Sequence, residues 1–88
     1  MTDTFTRIPA DTARAFIAEC LGLIGLLPPD ATEVAELMVE ADLTGADAHG
    51  IFRLPQYVQR TQAGGFNPRA NITVTKTAPA TALVDGNN

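Results

Sequence analysis

His49, Arg53 and Tyr57 lie four residues apart, and they include the chain's single histidine and single tyrosine. On one helix such spacing makes a stripe of neighbouring side chains. The stripe would join a group that gives and takes protons near neutral pH to a fixed cationic fork and a phenol. Those three groups suit a small, anionic, oxygen-rich ligand. Each also has a plainer role. His49 could be a capping or partly buried histidine, Arg53 a solvated helix residue and Tyr57 the edge of a core.

The helix that must carry them is constrained by Pro55. Proline is tolerated in the first turn, where its missing N–H costs nothing, and not in the interior. The third helix is therefore expected to begin at or after residues 50–52 and to end at Gly64-Gly65. That start leaves Arg53 and Tyr57 on the helix and His49 at or just before its N-terminus, where the dipole favours the neutral imidazole. Asp47 is placed to cap this helix. Arg53 could hold a carboxylate through two parallel hydrogen bonds, which fixes orientation as well as affinity.

Two further helices precede it. Pro9 and Asp11 suit the first turn of a helix that stops near Gly25. Its apolar face reads as Phe16, Cys20, Leu23, Ile24 and Leu27. A second helix is expected from about Pro29 to Thr44, with Val34, Leu37, Met38 and Ala41 facing inward. Gly45 would end it in left-handed conformation. Ahead of these helices lies a polar lead-in with a short extended piece at residues 5–8.

After Asn67-Pro68 the pattern changes. Residues 72–76 alternate and are β-branched, which signals a strand. Ala78-Pro79 breaks it, residues 82–84 read as a second, more buried strand, and residues 85–88 form a turn sequence. A turn delivers a chain to another strand, and an isolated two-stranded ribbon is marginal in water. The chain thus reads as α+β: a three-helix unit at residues 1–70, followed at residues 71–88 by the first strands of an incomplete sheet.

The totals exclude several classes. At 88 residues the chain is one small domain or part of a larger one, and 45% hydrophobic content with 18% charged residues is globular in character. A net charge of −4 argues against a nucleic-acid partner. Cys20 has no disulfide partner and no zinc-like ligand spacing around it, and it reads as a buried, inert thiol. No metal site is expected. The N-terminus lacks a signal-peptide pattern, and the longest apolar run, residues 21–29, is far shorter than the roughly 20 residues that cross a bilayer. A cytoplasmic protein is the expectation. Neither a dinucleotide-binding glycine fingerprint nor a P-loop is present.

Residues 45–70 strongly resemble the malate/L-lactate dehydrogenase family of NAD(P)-dependent oxidoreductases that lacks a Rossmann fold. The family pattern G-x-D-S-H-G-x-x-R-x-x-x-Y, then G-G-x-N-P, is matched from Gly45-Ala46-Asp47-Ala48-His49-Gly50 through Arg53 and Tyr57 to Gly64-Gly65-Phe66-Asn67-Pro68. Residues 39–42 and 81–87 extend the resemblance over essentially the whole chain. The resemblance implies a candidate proton donor in His49, a carboxylate-binding group in Arg53 and a pocket-lining group in Tyr57. It implies action on a small 2-hydroxy or 2-oxo acid (or an imino acid), with NAD or NADP bound mainly by a C-terminal part beyond this chain. It further implies that the remainder of the enzyme is a partner, that the complete enzyme is a homodimer, and that the 88-residue chain is inactive alone. One residue departs from the pattern: Ala48 stands where the family usually has a serine or threonine hydroxyl. The alternative reading is a non-catalytic helical interaction module built on the same fold.

Overall fold

A computed structural model describes residues 6–88. Helix α1 spans Ala10–Leu23, α2 Pro28–Leu43 and α3 Leu54–Gln62; strands β1 (Thr73–Ala78) and β2 (Thr81–Asp85) follow. Between α2 and α3 the chain makes two short 3₁₀ turns, Asp47–His49 and Ile51–Arg53. The expected extended lead-in lies partly outside the described residues at Phe5, and residues 6–8 carry no regular structure.

The helix boundaries follow local chemistry. Leu27 is extended, and Pro28 and Pro29 occupy the opening positions of α2, where their missing N–H groups would have had no partner. Pro55 does the same for α3. Each helix then ends on a glycine that turns left-handed. At the end of α2, Gly45 has φ +86°, its N–H donates to Asp42 O at 3.2 Å, and the Ala46 N–H reaches Ala41 O at 2.8 Å. This paired 5→2 and 6→1 bonding satisfies the last helical carbonyls. Gly25 and Gly64 close α1 and α3 with the same two bonds.

The core is made by Ile17 and Leu21 of α1, by Ala31, Ala35, Met38 and Val39 of α2, and by Leu54 at the start of α3. It uses the faces expected from periodicity only in part: Met38 is buried as expected, with Val34, Cys20 and Ile24 at its edge. Phe16 is 54% exposed, Leu23 82% and Leu37 60%. The reason is that α1 is apolar on nearly every side over residues 16–24, so several stripes compete. The one that wins sets Ile17 and Leu21 against the small side chains Ala31 and Ala35. Cys20, Ile24 and Val34 flank this contact and are half-buried.

Strands β1 and β2 pair antiparallel, with Val74 opposite Val84, Thr75 opposite Leu83 and Lys76 opposite Ala82. Thr77 is the irregular residue in the ladder, and its hydroxyl meets that of Thr81 at 2.9 Å. Pro79 and Ala80 form the turn, so β1 runs two residues further than the alternation suggested. The second strand was expected to be the more buried one, yet every residue of both strands is exposed. A strand is buried only by a covering layer, and no helix of the described residues covers either face. Residues 86–88 after β2 carry no regular structure, and Asn87, at φ +52°, donates its N–H to Asp85 Oδ1 at 2.9 Å. Asn67 Nδ2 donates to Asn87 O at 2.8 Å and so ties the foot of the hairpin to the segment after α3.

Candidate functional site

The segment carrying His49 and Arg53 is two 3₁₀ turns set end to end. The His49 N–H donates to Ala46 O at 2.9 Å, the Gly50 N–H to Asp47 O at 3.3 Å, and the Arg53 N–H to Gly50 O at 3.0 Å. Gly50 is the break between the turns. His49 thus ends the first turn with its side chain exposed, and Arg53 ends the second and leads into α3. The single helical stripe does not form. Tyr57 is one turn into α3, Arg53 is at its threshold, and His49 precedes it on a separate turn.

Arg53 is half-buried and fixed at one edge. Its Nε donates to Ala48 O at 2.7 Å, and its Nη1 donates to Gln56 Oε1 at 2.6 Å. These bonds leave the Nη2 donors and the second Nη1 proton without an acceptor among the described residues. A guanidinium held this way is an oriented fork, and its open edge has the geometry for a carboxylate. The acceptor that orients it is the carbonyl of the residue before His49, so the arginine is referenced directly to the histidine's own turn.

Asp47 does not cap α3. Its backbone carbonyl closes the first 3₁₀ turn, and α3 has no side-chain cap. The capping carboxylate here belongs to Asp42, near the end of α2, whose Oδ2 accepts the Ile51 N–H at 3.0 Å. Local spacing could not reveal this residue, because the bond crosses a helix end and nine positions of sequence.

Tyr57 points to a different neighbourhood. Its ring meets that of Phe66 edge-on at 6.2 Å between centroids, and the Arg60 guanidinium sits 5.3 Å above Phe66. Together Tyr57 and Phe66 form one wall of an open cleft of about 580 Å³. Leu21, Ile24, Pro68 and Ile72 also line it, and neither His49 nor Arg53 does. The structure therefore keeps Tyr57 with the cleft, apart from the other two residues. No lysine or arginine lines the cleft, and Asp30 adds a negative charge to it. A nicotinamide dinucleotide carries an anionic pyrophosphate, and among the described residues the cleft offers that group neutral donors but no side-chain cation. Among the described residues no cluster of three His, Cys, Asp or Glu is placed to hold a metal ion, and no helix is long and apolar enough to cross a membrane.

Comparison with known proteins gives this geometry a family. Residues 8–88 match the family model described as malate/L-lactate dehydrogenase. The chain belongs to the malate/L-lactate dehydrogenase family. It is 38% identical over 84 residues to a malate dehydrogenase of Pyrococcus horikoshii, covering 96% of this chain and 23% of that protein. With the L-sulfolactate dehydrogenase of Methanocaldococcus jannaschii it shares 38% identity over 76 residues, 86% of this chain and 22% of the relative. The ureidoglycolate dehydrogenase (NAD(+)) of Escherichia coli K12 is 32% identical over 82 residues, 93% of this chain and 24% of the relative. The solved malate dehydrogenase structure from Pyrococcus horikoshii superposes with a TM-score of 0.86 at 39% identity, over 93% of this chain and 24% of that one. The family chain thus spans about a quarter of the length of the curated relatives it matches. Its helices and hairpin are those of dehydrogenases, as the resemblance implied.

Proposed function

We propose that this chain is the N-terminal part of an NAD(P)-dependent oxidoreductase acting on a small 2-hydroxy or 2-oxo acid, and that it is inactive alone. The observation that carries the reading is the Arg53 fork, anchored on the carbonyl beside His49 with its outer donors open, in a chain of dehydrogenase family. Arg53 holds the substrate carboxylate by paired charge-assisted hydrogen bonds. His49, exposed beside it, handles the proton: it gives one to the carbonyl oxygen in reduction and takes one from the hydroxyl in oxidation. Tyr57, which lines the neighbouring cleft with Phe66 and not the space beside Arg53, would contribute to the substrate pocket only from that side. NAD or NADP is bound mainly by a C-terminal part beyond this chain, a reading supported by a cleft that offers a pyrophosphate no side-chain cation. The complete enzyme is read as a homodimer.

A chimera tests this. The chain is joined to the remaining three quarters of a family malate dehydrogenase, and NADH oxidation is followed with a panel of 2-oxo acids. Turnover is expected, with His49→Gln lowering kcat by about 100-fold, in the range of a lost acid–base group. Arg53→Gln should act mainly on KM, because it removes carboxylate binding. A folded chimera that binds NADH yet is indifferent to both substitutions would sink the assignment. The 88-residue chain alone should show neither tight NADH binding nor turnover. Ala48, which lacks the usual hydroxyl, is the observation favouring a non-catalytic interaction module instead. A chimera that folds, binds NADH and turns over none of the acids would decide for that module.

A further inference from the structure

Gly50 is buried at the break between the two 3₁₀ turns, although its φ of −94° is open to any residue. What distinguishes the position is space: a Cβ on Gly50 would overlap the Asp42 carboxylate, so a side chain there would have to displace that carboxylate. Asp42 is half-buried, and its other carboxylate oxygen accepts the Ile51 N–H at 3.0 Å. The carboxylate therefore fills the volume that a side chain at position 50 would take, and pins the first N–H of the second turn. His49 lies immediately before this pin. Arg53 lies at the far end of the pinned turn, with its own N–H on Gly50 O and its Nε on Ala48 O.

We infer that Asp42 is the positioning residue of the site: together with the side-chain-free Gly50 it fixes the separation and relative orientation of His49 and Arg53. The inference rests on the reading of those two residues as the substrate-handling pair. Asp42 touches neither substrate nor reacting atoms. It acts through the backbone, and a displacement of about 1 Å between the proton carrier and the carboxylate fork is enough to matter for a reaction that depends on alignment. Since Asp42 and Gly50 act at one point, their substitutions are coupled and not additive.

The test uses amide and arginine-Nε NMR spectra of the full 88-residue chain, alongside its thermal unfolding. In Asp42→Ala the Ile51 N–H should move upfield on losing a charge-assisted bond, and the His49 amide and Arg53 Nε resonances should move with it. The amides of Ile17 and Leu54 should stay, and the melting temperature should fall by no more than the loss of one hydrogen bond explains. Asp42→Asn keeps an acceptor oxygen, so it should return the His49 and Arg53 resonances to their original positions. Gly50→Ala should reproduce the Asp42→Ala pattern, and the double variant should add nothing to it. Unmoved His49 and Arg53 resonances in Asp42→Ala would overturn the inference. So would displacement of the core amides, or failure of asparagine to rescue. Should Asp42→Ala not fold, Gly50→Ala decides: the same local displacement supports the role and its absence overturns it. In the chimera, Asp42→Ala should lower kcat/KM by about 10- to 100-fold and Asp42→Asn should recover most of it. Inactivity of the unsubstituted chimera with the NMR pattern intact would remove the dehydrogenase reading alone.

Discussion

The helices and the hairpin solve the same problem of burial in opposite ways. Helices α1, α2 and α3 close on one another, and all seven buried hydrophobic residues among the described residues come from them. The hairpin contributes none, and Val74, Leu83 and Val84 remain 59–67% exposed on its two faces. A helix satisfies its backbone bonds internally and needs a partner only for one stripe, whereas a ribbon needs a covering layer to bury either face. The helical part thus has the means to hold its own shape. The hairpin is held by its ladder and by the bond from Asn67 to Asn87, and its apolar faces are suited to packing against more protein.

The largest effect that would break this contrast is the loss of a core side chain. Ile17 is completely buried, and Ile17→Ala should destabilise the chain by about 2–5 kcal/mol through lost transfer energy and the cavity left behind. Val84→Ala, on an exposed strand, should change stability by no more than about 0.5 kcal/mol. Urea titrations followed by far-UV circular dichroism measure both. A cooperative transition that Ile17→Ala abolishes or shifts strongly, with Val84→Ala near the parent, would uphold the comparison. Equal effects would mean that the hairpin shares a cooperative core with the helices.

The next effect sharpens it. Asn67→Ala removes the side-chain bond to Asn87 O and the acceptor for the Arg69 N–H, bonds of 2.8 and 3.0 Å. At about 0.5–1.5 kcal/mol per net hydrogen bond, the hairpin amides should exchange with solvent several-fold faster. Exchange at Ile17, Met38 and Val39 should not change. If the helical amides accelerate in step, the hairpin's foot belongs to the same cooperative unit as the core.

Much of this arrangement could be read along the chain, for a reason that also marks where reading stopped. Gly45 and Gly64 end helices by their own conformational freedom, Pro29 and Pro55 start them by their missing donors, and residues 73–76 announce a strand by their branching. These are effects of a residue on its own backbone. On α2 the expected Met38 is in the core, but the α1 face is legible only in part, because residues 16–24 offer several apolar stripes and the small Ala31 and Ala35 opposite decide between them. In the candidate site, the types and spacing of His49 and Arg53 suggest proton and carboxylate chemistry, and the family pattern points to the same positions; their roles are those proposed above. The expectation that His49 precedes the third helix agrees with the break at Gly50, whereas Arg53, expected on that helix, ends the 3₁₀ turn before it, and Tyr57 faces the Phe66 cleft. Asp42 escaped notice because its role depends on where the backbone returns after Gly45. The cleft also escaped, since Tyr57, Phe66, Pro68 and Ile72 meet only once the chain is folded.

The smallest expected effect concerns the one position that departs from the family pattern. Ala48 is exposed and contributes to the site through its carbonyl, which accepts Arg53 Nε at 2.7 Å. A backbone carbonyl is indifferent to the side chain it precedes, so Ala48→Ser should leave the Arg53 fork in place and alter stability by less than about 0.5 kcal/mol. Any gain should therefore fall on the proton rather than on the carboxylate. A serine hydroxyl both donates and accepts, and one adjacent to His49 could bond its imidazole or relay to it. One such bond is worth about 1 kcal/mol, so the chimera carrying Ala48→Ser should show a several-fold higher kcat at unchanged KM. A change in KM instead would mean that the side chain at position 48 bears on Arg53 after all, and that the carbonyl alone does not set the fork. An unchanged kcat would mean that His49 already exchanges its proton directly with the substrate, with Ala48 as a harmless substitution.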